Sequence, residues 1–322
     1  MLWAPYKKWN FEWPSFQVKD SVVVFVVQDG ERNRFDQRLL EYSFYDNIRT
    51  TDNVPVLFRS LQQIAKNGGL SCDNRFLLEG REVAMFYFRS GYSPDDYDEE
   101  AWAARLLVER SVSIKCPTVA EQLVGTKKVQ QIFATPGSVE KFLPDNPEAV
   151  KRIRKTFAGL YTLDPGSEGD AAVQQALAAP SKYVLKPQRE GGGNNMYDEE
   201  MVEELKVTTD PVERSQYILM ERVVPPIVNN YIVHPSSEKP VLARTVAELG
   251  VFGVVVVEDG KEVFNDSTGY ILRSKDIEHK DGGVAAGRAV LDTPYLVWFL
   301  LTILFIYISK CTAVLKSDKS FL

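Results

Sequence analysis

Between residues 20 and 115 the apolar positions switch repeatedly from strand spacing to helix spacing. Residues 21–28 (SVVVFVVQ) are a nearly continuous β-branched run, the pattern of a strand buried on both faces in a parallel sheet. Asp29-Gly30 ends it, and 35–45 reads as helix. Residues 54–66 pass from strand to helix, and 82–88 form another apolar strand. Over 98–111, Ala101, Ala104, Leu106 and Leu107 fall at helical spacing. This alternation predicts a small open α/β domain, whose ligands sit beyond the carboxyl ends of the strands. Glu31-Arg32-Asn33 and Arg89-Ser90-Gly91-Tyr92 lie at such ends.

Helices are predicted next over 119–133, 147–160 and 171–177, the last broken at Pro180. Tyr183-Val184-Leu185 is a short strand, 197–206 a helix and 217–223 a strand. Two further strands are expected at 241–248 and 251–257, with Glu258-Asp259-Gly260-Lys261 as a hairpin turn. No internal repeat or low-complexity tract interrupts the chain. The aromatic N-terminus has no continuous apolar run and does not read as a secretory signal. Residues 293–309 carry no charge, which is the lower limit for a membrane span of about 17–25 residues.

At 322 residues the chain can bury one large core or two modest ones. Its net charge of -6, with no basic stripe, argues against a nucleic-acid partner. Cys72, Cys116 and Cys311 are far apart and form no CxxC, so reduced thiols inside a cell are expected. His234 and His279 are too few for a histidine-rich zinc site.

The chemistry concentrates at Lys186-Pro187-Gln188-Arg189-Glu190-Gly191-Gly192-Gly193-Asn194-Asn195. Consecutive glycines let backbone N–H groups approach an anion without Cβ atoms in the way. Lys186 and Arg189 add positive charge, and Glu190 adds a carboxylate suited to magnesium. That combination suits a polyphosphate with its metal, although three glycines alone also make a surface turn. It is neither a Walker A loop nor a dinucleotide fingerprint.

This run resembles the glycine-rich loop of eukaryotic-type glutathione synthetases, which are ATP-grasp ligases. Colinear stretches resemble the same family: Glu31-Arg32-Asn33, Arg89-Ser90-Gly91-Tyr92, Gly125-Thr126-Lys127-Lys128, Met220-Glu221, Glu248-Leu249-Gly250, Leu272-Arg273-Ser274-Lys275 and Asp281-Gly282-Gly283-Val284-Ala285-Ala286-Gly287. The resemblance implies an α/β fold with ATP-grasp nucleotide-binding lobes at 117–295 and a small open α/β substrate-binding domain with a parallel sheet at 21–116. It implies ligation of γ-glutamylcysteine to glycine through an acyl phosphate, with ATP and Mg2+, in a cytoplasmic homodimer.

Residue by residue, the resemblance puts Lys127, Lys186, Gly191, Gly192, Gly193, Asn194, Asn195, Tyr197, Met220, Glu221, Val223, Glu248 and Lys275 at the nucleotide. Glu190 is the implied metal ligand. Glu31, Arg32, Asn33, Gln37, Arg89, Ser90, Gly91, Tyr92, Val284 and Ala285 are implied substrate contacts, and Arg273 is both a substrate contact and catalytic. Arg38, Arg105 and Arg110 read as fold or solvent residues.

The family extends further at the N-terminus, where it has additional magnesium ligands. Residues 1–20 resemble none of that region, so a truncated chain with an open site is expected. Residues 296–322 also lack a counterpart, and read either as a membrane tether or as incidental sequence. A nucleotide- or dipeptide-binding relative without catalysis, and a membrane-tethered fragment, stay open as other functions.

Overall fold

The computed structural model describes residues 21–31, 33–47, 54–189, 193–233, 239–258, 260–278, 284 and 289–294. Strand β1 (Ser21–Val26) is buried at every position. Val22, Val24 and Val26 enter one core, while Val23 and Phe25 enter another on the opposite face. A strand covered on both sides has no solvent face, which explains its unbroken apolar sequence.

Strands β2 (Val56–Arg59) and β5 (Arg81–Phe88) flank β1 in parallel, and β6 (Ile114–Cys116) runs parallel to β5. The expected parallel strands are therefore present. Two short antiparallel strands, β3 (Gly68–Leu70) and β4 (Phe76–Leu78), extend the sheet. Helices α2 (Leu61–Asn67) and α3 (Glu99–Arg110) pack Leu61, Ile64, Ala101, Ala104 and Val108 on one face. On the other face, α1 (Arg34–Asn47) packs Phe44 and Leu40.

Sequence spells out the helix starts. The Ser60 hydroxyl accepts from Gln63 N at 3.3 Å and Gln63 Oε1 accepts from Ser60 N at 3.0 Å, a reciprocal cap for α2. Asp98 Oδ1 accepts from Ala101 N at 2.7 Å at the head of α3. The buried stripe of α3 differs from the expected one: Leu106 is 51% exposed and Arg105 only 3%. Arg105 lies 3.8 Å from the Phe88 ring, so its flat guanidinium occupies space a leucine was expected to fill.

The remaining sheets are antiparallel. In the second, β7 (Leu160–Thr162), β10 (Tyr217–Glu221), β8 (Tyr183–Pro187) and β9 (Met196–Tyr197) lie in that order. Helices α7 (Ser167–Ala178) and α8 (Asp198–Val207) bury Ala172, Val173, Ala176, Met201 and Leu205 against Leu185 and Leu219. The third runs β11 (Val228–Ile232), β12 (Val241–Glu258), β13 (Lys261–Asp276) and β14 (Val290–Asp292).

Several expected boundaries change. Residues 119–133 form two helices, α4 (Val119–Val124) and α5 (Lys127–Ala134). Gly125 caps the first, and Thr126 turns extended with ψ 155 before the second begins. The helix expected over 147–160 ends early, as α6 (Pro147–Arg154), where the Thr156 hydroxyl donates to Ile153 O at 2.7 Å. The strands expected at 241–248 and 251–257 are one strand, because Gly250 serves close packing: a Cβ there would lie 3.2 Å from Ile271 Cγ2. Tyr197 ends β9 instead of opening a helix, and β10 stops at Glu221, leaving Val223 outside it and 65% exposed. The hairpin turn is as expected, with Glu258 paired to Lys261 and Gly260 at φ 73. A four-residue helix, α9 (Pro211–Arg214), precedes β10.

On the surface beside α6, Arg154 grips Glu140 with two bonds, Nε to Oε1 at 2.8 Å and Nη2 to Oε2 at 2.6 Å. Hydrogen bonding from Arg154 brings the Glu140 carboxyl down to about 2. A depressed carboxylate stabilises the fold above its ordinary value near 4.5 and loses that contribution as pH falls toward 2. Glu140→Gln is therefore expected to flatten part of the acid limb of a pH–stability profile. Identical acid limbs in the two proteins would count against the pairing.

Candidate functional site

Strand alternation sorts the predicted nucleotide residues. On β8, Lys186 points away from Leu185 and so lies on the face opposite α7 and α8. The register pairs Met220 and Tyr197 with Val184, on that same face. Lys186, Met220 and Tyr197 thus share one surface of the second sheet. Arg222 lies 5.6 Å from the Tyr197 ring centroid, adding a cation beside it.

Glu221 points the opposite way. Its Oε1 accepts from the Tyr161 hydroxyl at 2.9 Å and its Oε2 from Gly159 N at 3.2 Å. Burial and the Glu221 carboxylate push the Tyr161 phenol up to about 12. The backbone of Glu221 closes the same junction, with its N donating to Gly159 O at 2.8 Å.

Helix α5 begins at Lys127 and packs against β7 and β10. Its neighbour Lys128 is committed elsewhere: Nζ reaches Asp164 Oδ2 at 2.6 Å and Thr162 Oγ1 at 3.2 Å. The two lysines of the run are thereby separated in role, Lys128 holding α5 to the end of β7. Lys128 N also donates to Gln188 Oε1 at 2.9 Å, which ties the start of α5 to the stem of the glycine loop. Gly193 takes φ 91, a conformation that favours glycine.

The third sheet gathers the next group. Arg273 and Glu248 are direct register partners and form an ion pair. Lys275, two residues along β13, shares their face. Arg273 Nε is buried without a hydrogen-bond partner among the described residues. On the opposite face, the Ser274 hydroxyl donates to Asp292 Oδ2 at 2.6 Å and Asn230 Nδ2 to the same oxygen at 3.0 Å.

Of the predicted substrate residues, Glu31, Asn33, Gln37, Arg89, Ser90, Gly91 and Tyr92 lie just beyond the carboxyl ends of β1 and β5. Arg89 N donates to Val26 O at 2.8 Å, fixing the end of β5 to β1. The Arg89 guanidinium pairs with Asp36 of α1. Burial alone would lower its pKa, but Asp36 reverses this and holds it above the ordinary value. Glu31 Oε1 accepts from Asn33 N at 2.7 Å and Oε2 from Gln37 Nε2 at 2.8 Å. A cleft of about 410 Å³ opens beside them, lined by Glu31, Arg34, Gln37, Phe58, Ser60 and Gln63 among others. A larger one of about 590 Å³, between Glu140 and α6, contains none of the predicted site residues.

Ser90 is buried, and Gly91 takes φ 80 with Tyr97 Oη where a Cβ would come within 2.6 Å. Gly91 O accepts from Gln122 Nε2 at 3.0 Å and from the Tyr97 hydroxyl at 3.2 Å. Tyr92 N donates to Asp96 Oδ2 at 2.9 Å. Val284 is half-buried. Arg32, Glu190, Gly191, Gly192 and Ala285 lie outside the described residues, as do 1–20 and 295–322. Sequence reasoning assigns no role to Asp36, Gln122, Asp164 and Gln188, whose partners lie 53, 31, 36 and 60 positions away. Pairings at that range leave no local signal.

Parallel strands ending at Arg89, followed by two antiparallel sheets that carry Lys186 and Lys275, make this a mixed α/β protein. A solved structure with this fold is a glutathione synthetase-like effector from Globodera pallida, at TM-score 0.67 and 21% identity, covering 92% of this chain and 60% of that one. Residues 12–296 match the model of the eukaryotic glutathione synthase ATP-binding domain, and the chain belongs to that family. It is 50% identical over 285 residues to glutathione synthetase of Homo sapiens, covering 88% of this chain and 59% of that protein. Identity to the chloroplastic glutathione synthetase of Arabidopsis thaliana is 40% over 288 residues, 88% of this chain and 51% of that protein. The chain thus spans between half and three-fifths of the length of these two relatives. Among the described residues no helix is long and apolar enough to cross a membrane.

Proposed function

We propose that this chain carries the nucleotide and dipeptide machinery of a glutathione synthetase, joining γ-glutamylcysteine to glycine at the expense of ATP. The observation that carries the proposal is the shared face of Lys186, Met220 and Tyr197, tied through Gln188 to the helix that Lys127 opens. A carboxylate does not condense with an amine in water without activation. Its oxygen attacks the γ-phosphorus, ADP leaves, and the glycine amine then displaces phosphate from the acyl phosphate. Such transfer depends on positioning and on neutralising charge.

Lys127 and Lys186 would supply cations along the polyphosphate, with residues 191–195 covering it and Met220, the backbone of Glu221 and Val223 beside the adenine; the Glu221 carboxylate is turned away, to Tyr161 and Gly159. Glu248 and Lys275 would complete the nucleotide contacts. Arg89 and Arg273 would hold substrate carboxylates, for which a guanidinium's paired donors are suited. Each already faces one carboxylate, Asp36 or Glu248. Glu31, Asn33, Gln37 and the 90–92 turn would line the dipeptide's other end.

Magnesium belongs to the same proposal, with Glu190 the ligand this chain would offer. Among the described residues no group of three or more His, Cys, Asp or Glu could hold a metal ion. A cytoplasmic homodimer completes the reading.

The full chain, supplied with ATP, Mg2+, γ-glutamylcysteine and glycine, is expected to release ADP only when both the dipeptide and glycine are present. ATP binding without turnover would favour a non-catalytic relative and end the ligase reading for this chain.

A further inference from the structure

The start of α5 lacks its own cap. Thr126, at the N-cap position, makes no side-chain bond to the helix; its hydroxyl donates backwards to Leu123 O at 2.8 Å. The first turn also holds no acidic residue. The first N–H groups of a helix have no partner within it and are ordinarily met by a side chain one to three residues before. Here Lys128 N is met from 60 positions away, by Gln188 Oε1 at 2.9 Å. Gln188 directly follows β8, two residues after Lys186, on the stem of the glycine loop. Its Nε2 is buried with no acceptor among the described residues, so only the oxygen of the amide is engaged there.

We propose that Gln188 is a positioning residue that couples the helix opened by Lys127 to the glycine-loop stem, so that both elements hold a nucleotide in one geometry. The proposal rests on the nucleotide reading of this site. It differs from simple capping in one respect: a cap supplied by α5 itself would hold the helix but leave the stem uncoupled. Glutamine is long enough to span the two elements and neutral enough not to repel phosphate.

The experiment uses the full chain with ATP as the probe, reading affinity by calorimetry and amide exchange across residues 127–131. Gln188→Met keeps the side chain's length and removes the acceptor. It is expected to speed exchange at the start of α5 and weaken ATP binding about fivefold to tenfold, the size of one lost hydrogen bond between the two elements. Adding Thr126→Asn supplies a local cap, and should restore slow exchange while leaving ATP binding weak. Val108→Ala, which opens a cavity in the other lobe's core, controls for lost stability and should leave ATP affinity alone. Unchanged affinity in Gln188→Met overturns the coupling, as does recovery of affinity with Thr126→Asn. A wild-type chain that binds no ATP overturns the nucleotide reading together with this one.

Discussion

Replacing Lys186 with Met is expected to reduce ATP affinity and kcat/KM by on the order of a hundredfold to a thousandfold while the fold persists. The position explains both halves of that expectation. Lys186 stands on β8 next to the fully buried Leu185 and in register with the fully buried Ile218. Met preserves the length of the stem and its apolar contacts, so β8 keeps its partners. What disappears is a cation on the face shared with Met220 and Tyr197. Two unit charges about 4 Å apart near a protein surface interact by about 4 kcal/mol. That corresponds to roughly a thousandfold in rate. Calorimetric titration with ATP, beside steady-state rates, measures the loss. A folded Lys186→Met chain with wild-type ATP affinity would remove the charge-neutralisation argument and leave the site resting on family membership alone.

The legibility of this molecule follows the range of the interactions that decide each feature. Strand β1 was readable because burial on both faces requires apolar residues at every position, and no tertiary detail can reverse that. The cleft residues were readable for a related reason, since strand ends in an open α/β sheet are where the chain turns back exposed. Three-residue strands such as β3, β4 and β6 carry too few positions to show a period, and none was expected. Gly125 and Gly250 show the limit from another side. The first ends a helix and the second sits inside an 18-residue strand, paired with Ile271 and packed closely on its side chain. On α3 Ala101 and Ala104 are buried as expected and only Leu106 gives way, to Arg105, whose guanidinium is received by an aromatic ring. In the site, residue types and motifs marked the ligand-facing groups. The groups that hold those in place, Asp36, Asp164 and Gln188, are set by contacts across the fold, and no local pattern assigns them that role.

The largest stability effect is expected at Phe86, where truncation to Ala should cost about 3–5 kcal/mol. Phe86 is fully buried near the middle of β5, in register with Val24 on one side and Lys115 on the other. Its ring meets Phe76 edge to face, with centroids 5.0 Å apart and planes at 83°. Neighbours in the same core come from two helices and two further strands, so the space left by the ring cannot close by moving a single element. Denaturant unfolding should show a lower midpoint with an unchanged slope, since the surface exposed on unfolding is nearly the same. ATP affinity below the transition should match wild type, because the core behind Lys186 is built from other residues. A loss under about 1 kcal/mol would mean that β4 and β5 repack around the gap, and that the rigid support of the Arg89 end of the sheet is weaker than its burial implies.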